Sequence, residues 1–398
     1  MSTRIALRIF LVTWPLSIAG GCADRPLNLG EANFVAEVSF SAAVSYRAGL
    51  NPWSLVLGDL RGDGSVDIAV ANSGGSDVSA LLSNGDGTFA AAVDYPAGGS
   101  PFSMALGDAN GDGKPDLVVA NDRGDINLLS NNGDGTYAAA VDYPTGASFV
   151  GRTSESVALG DLNGDGKPDL AVVDSAGGVQ VLFNDGNGTF VAAIRYLANV
   201  PAYAVAVGDL NDDGKADLAV VGSGLRVLLN KSDKKFAAAV SYAVGDAPSG
   251  VGIGDLNGDG KPDLVIVDTF TDARPRTDGT SLSDRGTVRV LLNAGSGKFD
   301  AAVSYGAGLA PIAVALGDLN GDGMLDLAVA NAHSGDVSVL LNQGGGSLAQ
   351  VINVAVRQGP MSIAVGDLNG DGMLDLAVAC YGGGSDVGAV AVLLNTTH

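Results

Sequence analysis

Short runs in which apolar side chains alternate with small or polar ones recur along this chain, always in one order. A unit reads "SVALGD", an acidic turn, "DLAVAN", a glycine-rich connection, "VSVLLN", the turn "NGDGTF", and "FAAAVSY". Each run is short, rich in Val, Leu and Ala, and ends at Gly, Asn or Asp, which is the signature of a strand; none is long enough for a helix. The unit is therefore expected to be a four-stranded antiparallel meander. A single such sheet leaves two apolar faces uncovered, so the units must pack face to face.

The acidic turn begins at Gly58, Gly107, Gly160, Gly208, Gly254, Gly317 and Gly366, giving gaps of 49, 53, 48, 46, 63 and 49 residues. That period matches a propeller blade. The ends of the chain complement each other. "FSAAVSY" at 40–46 is a fourth strand that precedes the first acidic turn, and the chain stops after "VAVLLN", a third strand. The expected fold is all-β: a seven-bladed β-propeller, 37–398, closed by the N-terminal strand completing the last blade, which removes exposed sheet edges. Blades are expected at about 47–95, 96–143, 144–196, 197–242, 243–305, 306–354, and 355–398 with 37–46.

Composition adds a location and a class of partner. Arg4 and Arg8 followed by "IFLVTWPLSIAGG" read as an export signal over 1–22, with an apolar run too short to span a bilayer. Its end, "IAGGC", resembles a lipoprotein signal, which would make Cys22 a lipid anchor; ordinary cleavage nearby is the alternative. Residues 23–36 read as a tether. The protein is thus expected outside the cytoplasm, secreted or held on a bacterial envelope, as a monomer. Cys22 and Cys380 define no disulfide framework. The net charge of −22 argues against nucleic acid and points to cations.

The negative charge is concentrated. The seven turns, D-x-N-x-D-G-x-x-D, hold 22 aspartates (three each, plus Asp212), half of the 44 acidic residues. Hard oxygen donors at positions 1, 3 and 5, glycine at 6, a backbone carbonyl at 7 and a closing carboxylate at 9 are a calcium-type donor set. It departs from the helical-hand loop, which closes with Glu at 12. The candidate metal ligands are Asp59, Asp63 and Asp67; Asp108, Asn110, Asp112 and Asp116; Asp161, Asn163, Asp165 and Asp169; Asp209, Asn211, Asp213 and Asp217; Asp255, Asn257, Asp259 and Asp263; Asp318, Asn320, Asp322 and Asp326; and Asp367, Asn369, Asp371 and Asp375. Arg61 takes position 3 of the first turn and marks a weak or empty site. The competing explanation, that Asp, Asn and Gly favour turns, covers a single loop but not the identity of positions 1, 5, 6 and 9 in all seven. Seven bound calcium ions would bring the net charge to roughly −8, at two charges per ion.

The combination "GDLNGDGKPDLAV" with "VSVLLN" and "NGDGTF" resembles the FG-GAP and VCBS-type repeats of bacterial exported proteins and integrin alpha heads. The resemblance spans nearly all of 37–398. It implies a seven-bladed propeller with calcium-binding hairpins and a role in adhesion or ligand binding; some relatives are lectins and others are polysaccharide lyase domains.

In such a meander the acidic turns share one face with the "NGDGTF" turns, which read as hairpin chemistry. The opposite face carries the blade links and the second-to-third loops. There the third link gains five residues around "SFVGR", and the fifth blade carries the insertion 270–286. Variable loops on a rigid scaffold are where function tends to reside, so a glycan or protein ligand is expected on this face. Trp53, Phe102 and Tyr203, each just after a link proline, are either wedged between blades or available to stack on sugar rings. The tripeptide Arg123, Gly124, Asp125 matches an integrin-recognition sequence, which chance explains in a chain this rich in Gly and Asp. Arg152, Arg274, Arg276 and His333 are thin candidates for a lyase or glycosidase; His398 is terminal, and no catalytic motif appears. A non-enzymatic binding module is expected, with a polysaccharide-active enzyme or a purely structural surface protein as alternatives.

Overall fold

A computed structural model of the chain describes residues 38–122, 124–144, 156–174, 178–197, 200–232, 234–245, 247–269, 285–382 and 387–397. The leader with Cys22, the tether, Arg123, Arg152, Arg274, Arg276, most of the 270–286 insertion and His398 lie outside the described residues.

Seven four-stranded antiparallel sheets form among the described residues. Their innermost strands are Pro52–Gly58, Pro101–Gly107, Val157–Gly160, Ala202–Gly208, Pro248–Gly254, Pro311–Gly317 and Pro360–Gly366. Each lies beside the innermost strand of the next blade, and the seventh lies beside the first, so the ring is closed. The glycine ending each of these strands has a steric reason. A Cβ on Gly58 would stand 2.3 Å from Leu106 of the second blade, and one on Gly160 would stand 2.5 Å from Val207 of the fourth. Neighbouring strands approach too closely there for a side chain.

The second strands, Asp67–Asn72, Asp116–Asn121, Asp169–Asp174, Asp217–Gly222, Asp263–Asp268, Asp326–Asn331 and Asp375–Cys380, are sandwiched between blades. Ile68 and Val70 pack against Ala377 and Val390 of the seventh blade, while Ala69 and Ala71 pack against Leu117 and Val119 of the second. Both faces being covered, the run is apolar without alternation. Each large apolar side chain buried this way stabilises the ring by roughly 1.5–3 kcal/mol.

At the perimeter an outer-strand tyrosine meets an aromatic ring of the following blade edge to face: Tyr95 with Tyr137, Tyr143 with Phe190, and Tyr242 with Phe299. Tyr46 makes the same contact with Phe89, across the closing seam. Its strand, Val44–Leu50, pairs antiparallel with Val387–Leu393, with Val44 opposite Val392 and Tyr46 opposite Val390. The first strand among the described residues thus supplies the outer strand of the last blade.

One feature of the ladders was not visible in the pattern of apolar positions. The innermost strands carry a register shift one residue in, so that Trp53, Phe102, Tyr203, Ser249, Ile312 and Met361 have no partner in the second strand. A bulge re-aims its unpaired side chain.

Candidate functional site

In each acidic loop the first aspartate gathers backbone amides. Asp161 accepts from Gly164 (2.7 Å) and Asp165 (3.1 Å) on one oxygen and from Gly166 (2.8 Å) on the other. Asp108 and Asp367 do the same with their own loops. Asp165 at position 5 accepts the Lys167 amide at 3.0 Å. Glycines 164 and 166 have φ of +84° and +82°, a conformation that position 6 must adopt for the chain to fold back.

The ninth residue is used differently. Asp67, Asp116, Asp169, Asp217, Asp263, Asp326 and Asp375 are fully buried. Each holds amides both from its own loop and from the end of the third strand; for Asp326 these are Leu319 (3.0 Å) and Asn342 (2.8 Å). Burial raises all seven carboxyl pKa values, and the neighbouring loop carboxylates raise most of them further; those of Asp169, Asp217 and Asp326 reach about 6. The carboxylates are thus costly to ionise here, and a divalent cation would offset that cost.

The donor set fits a hard cation in chemistry. It is all oxygen, and a carboxylate oxygen that accepts one amide retains a lone pair. Asn211 Oδ1, at position 3 of the fourth loop, is buried with no partner. Among the described residues no three acidic, histidine or cysteine side chains stand together as a preassembled cage.

The first loop carries its own cation. Arg61 Nη2 lies 3.1 Å from Asp67, 3.3 Å from Asp63, and donates to Ser65 Oγ and the Ser83 carbonyl at 2.7 Å. The guanidinium therefore bridges the fifth and ninth carboxylates. If the loops hold calcium, elemental analysis of the undepleted protein should find about six ions, and Arg61→Asn should add one more.

A residue that the sequence reading passed over joins the blades on this face. The asparagine ending the third strand extends its side-chain amide to the preceding blade. Asn342 Nδ2 donates to the Leu256 carbonyl (2.7 Å) and to Leu325 of its own loop (3.1 Å), while its Oδ1 accepts the Gly344 amide (3.0 Å). Asn131, Asn184, Asn230, Asn293 and Asn395 repeat the contact. The available signal was the final N of "VLLN", read only as turn punctuation. In the first blade Ser83 stands in its place, so the seam between blades seven and one lacks the clasp. The "NGDGTF" turns are held internally; Asp86 Oδ1 accepts the Thr88 amide at 3.0 Å.

At the other end of the innermost strands the bulged residues surround the ring axis. A cavity of about 180 Å³ is lined there by residues from all seven blades, including Trp53, Phe102, Tyr203, Ile312 and Met361. Trp53 meets Phe102 edge to face with ring centres 5.2 Å apart, and Tyr381 at 6.3 Å. The three aromatics picked out in the sequence are thus gathered at the axis. A seven-residue strand separates this rim from the acidic loops by about 20 Å. His333 is exposed in its loop. Among the described residues no helix is long and apolar enough to cross a membrane.

The FG-GAP-like repeat family matches residues 59–119, 108–172, 161–220, 209–266, 276–329 and 318–378, and the FG-GAP repeat matches 247–291. No curated protein matches the chain. Among solved structures, BBS1N in complex with ARL6DN is 15% identical, covering 89% of this chain and 99% of that one with a TM-score of 0.58. The WD40 beta propeller domain of Doa1 is 12% identical, covering 90% and 97%, with a TM-score of 0.55.

Proposed function

Since the chain belongs to the FG-GAP repeat family, we propose that it is an exported, calcium-dependent binding module that presents a glycan or protein ligand site on the face opposite the acidic loops. The observation carrying this reading is the convergence of Trp53, Phe102 and Tyr203 on the rim of the axial cavity. Large half-buried aromatics are expensive to leave partly wet and are the groups from which binding energy is drawn. The opposite face is occupied by blade-joining contacts. Calcium would be held by the first, third, fifth and ninth loop residues, and when bound it supplies charge compensation and stiffness to the scaffold; the ligand contacts belong to the other face.

Export is supported by Arg4, Arg8 and the apolar run that follows them. A protein partner is supported by the solved propeller BBS1N, whose structure is of a complex with ARL6DN; the fold alone does not choose the ligand. Binding to a glycan array, with and without chelator, tests the reading. Retention of defined glycans that weakens in chelator is the expected result. No retention of any glycan, together with no protein captured by cross-linking at Tyr203 replaced with a photoreactive residue, would refute it.

A further inference from the structure

We propose that the axial cavity seats one neutral pyranose ring, a terminal sugar of the ligand. This deepens the preceding reading and rests on the link face being the binding face.

Geometry supplies the first argument. Six innermost strands break their ladders at the same step, and the residue released each time lines the cavity: Trp53, Phe102, Tyr203, Ser249, Ile312 and Met361. Repetition accounts for the bulge but not for what it carries. The bulky rings come from blades one, two and four, while blade five offers Ser249 and Gly250. Ile312 and Met361 complete the apolar part of the rim, and serine hydroxyls stand among the rings and aliphatic groups. A pyranose carries the same mixture, with flat C–H faces for the rings and hydroxyls around its edge.

The lining chemistry narrows the class. Ser103 and Ser362 lie one residue past the bulge, Ser156 immediately precedes the third blade's innermost strand, and each hydroxyl accepts an amide hydrogen from the next blade: Val157 at 3.1 Å, Val205 at 3.4 Å and Leu55 at 3.3 Å. Each is thereby held in place with its own hydrogen left to donate. A wholly apolar occupant would desolvate these hydroxyls without replacing their bonds. A charged one would find no countercharge, since no charged side chain is among the described residues lining the cavity. The volume of about 180 Å³ lies below the range of drug-sized pockets and suits a single small ring.

Trp53 also provides the assay. The chain has two tryptophans, and the other, Trp14, lies in the leader; the full chain with Trp14→Phe reports on the cavity alone. Titration with the methyl glycosides of glucose, galactose, mannose and N-acetylglucosamine, and with methyl glucuronide as the charged control, should give a saturable change in Trp53 emission for at least one of the four neutral sugars. Phe102→Ala and Tyr203→Ala should each weaken that response tenfold or more while leaving the melting temperature within a few degrees. Saturation-transfer NMR of the same sugar on the unsubstituted protein gives a readout independent of the variants' folding. The proposal is overturned if no sugar produces either signal at concentrations ten times a millimolar Kd, if both variants bind as well as the parent, or if only methyl glucuronide binds. Should glycans be retained on the array while Trp53 stays silent, the binding-face reading survives and the axial seat does not.

Discussion

Stripping calcium from the protein is expected to lower its melting temperature by about 10–20 °C. At a Kd of about 10⁻⁴–10⁻³ M, typical of extracellular sites, about 10 mM free calcium contributes roughly 1.4–2.7 kcal/mol per site through mass action. Six such sites sum to about 8–16 kcal/mol. Unfolding entropy of about 2.1 cal/mol/K per residue converts each kcal/mol into about 1.3 °C for a ring of this length. The effect carries a pH signature. Burial raises the pKa of the ninth aspartates, to about 6 for Asp169, Asp217 and Asp326, from an ordinary 3.8. A raised carboxyl costs the fold nothing below pH 3.8 and its full penalty above about 6. In chelator, these groups make stability fall as pH rises between those values. Calcium needs the same carboxylates ionised, so its benefit grows over the same interval. Scanning calorimetry at pH 5 and 7.5, with calcium and with chelator, should therefore show a wider gap at 7.5. Curves that coincide at both pH values would mean that the loops are plain turns.

The second large effect is mechanical continuity between blades. Asn342→Ala removes three hydrogen bonds and leaves the Leu256 and Leu325 carbonyls and the Gly344 amide without a side-chain partner. At about 1–3 kcal/mol for each buried group left unsatisfied, with some relief from water, the loss should be about 3–4 kcal/mol. Denaturant unfolding should show a lower midpoint with an unchanged m value. Ser83→Asn runs the experiment backwards, giving the Leu368 carbonyl the donor that Leu256 has; a gain of about 1 kcal/mol is expected. Equal midpoints for Asn342→Ala and the parent would show that the clasp contributes nothing.

The architecture was legible because a 46- to 63-residue period with strand-length runs admits few packings, and because "FSAAVSY" stood at the wrong end of the chain for anything but closure. The site was legible only in part. The ninth aspartate read as one of several loop carboxylates, yet Asp263 holds the amide of Asn293, thirty residues away across a hairpin, and no local pattern encodes that distance. The asparagine clasp was hidden for the same reason: its acceptors lie about 70–85 residues upstream, as with Asn131 and Leu60 or Asn342 and Leu256. Trp53, Phe102 and Tyr203 were placed on the correct face, but their direction depends on a ladder shift that comes from pairing with the second strand, and pairing register is not a property of one strand.

The pairing of Val44–Leu50 with Val387–Leu393 sets an order of events during biosynthesis. Six blades can be finished from contiguous chain as it emerges, whereas the seventh waits until Val387–Leu393 can meet the much earlier Val44–Leu50. "VGAVAVL", among the most adhesive edges in the protein if left bare, is thus synthesised only when its partner has long been available. A nascent chain therefore exposes that edge only until it docks on Val44–Leu50.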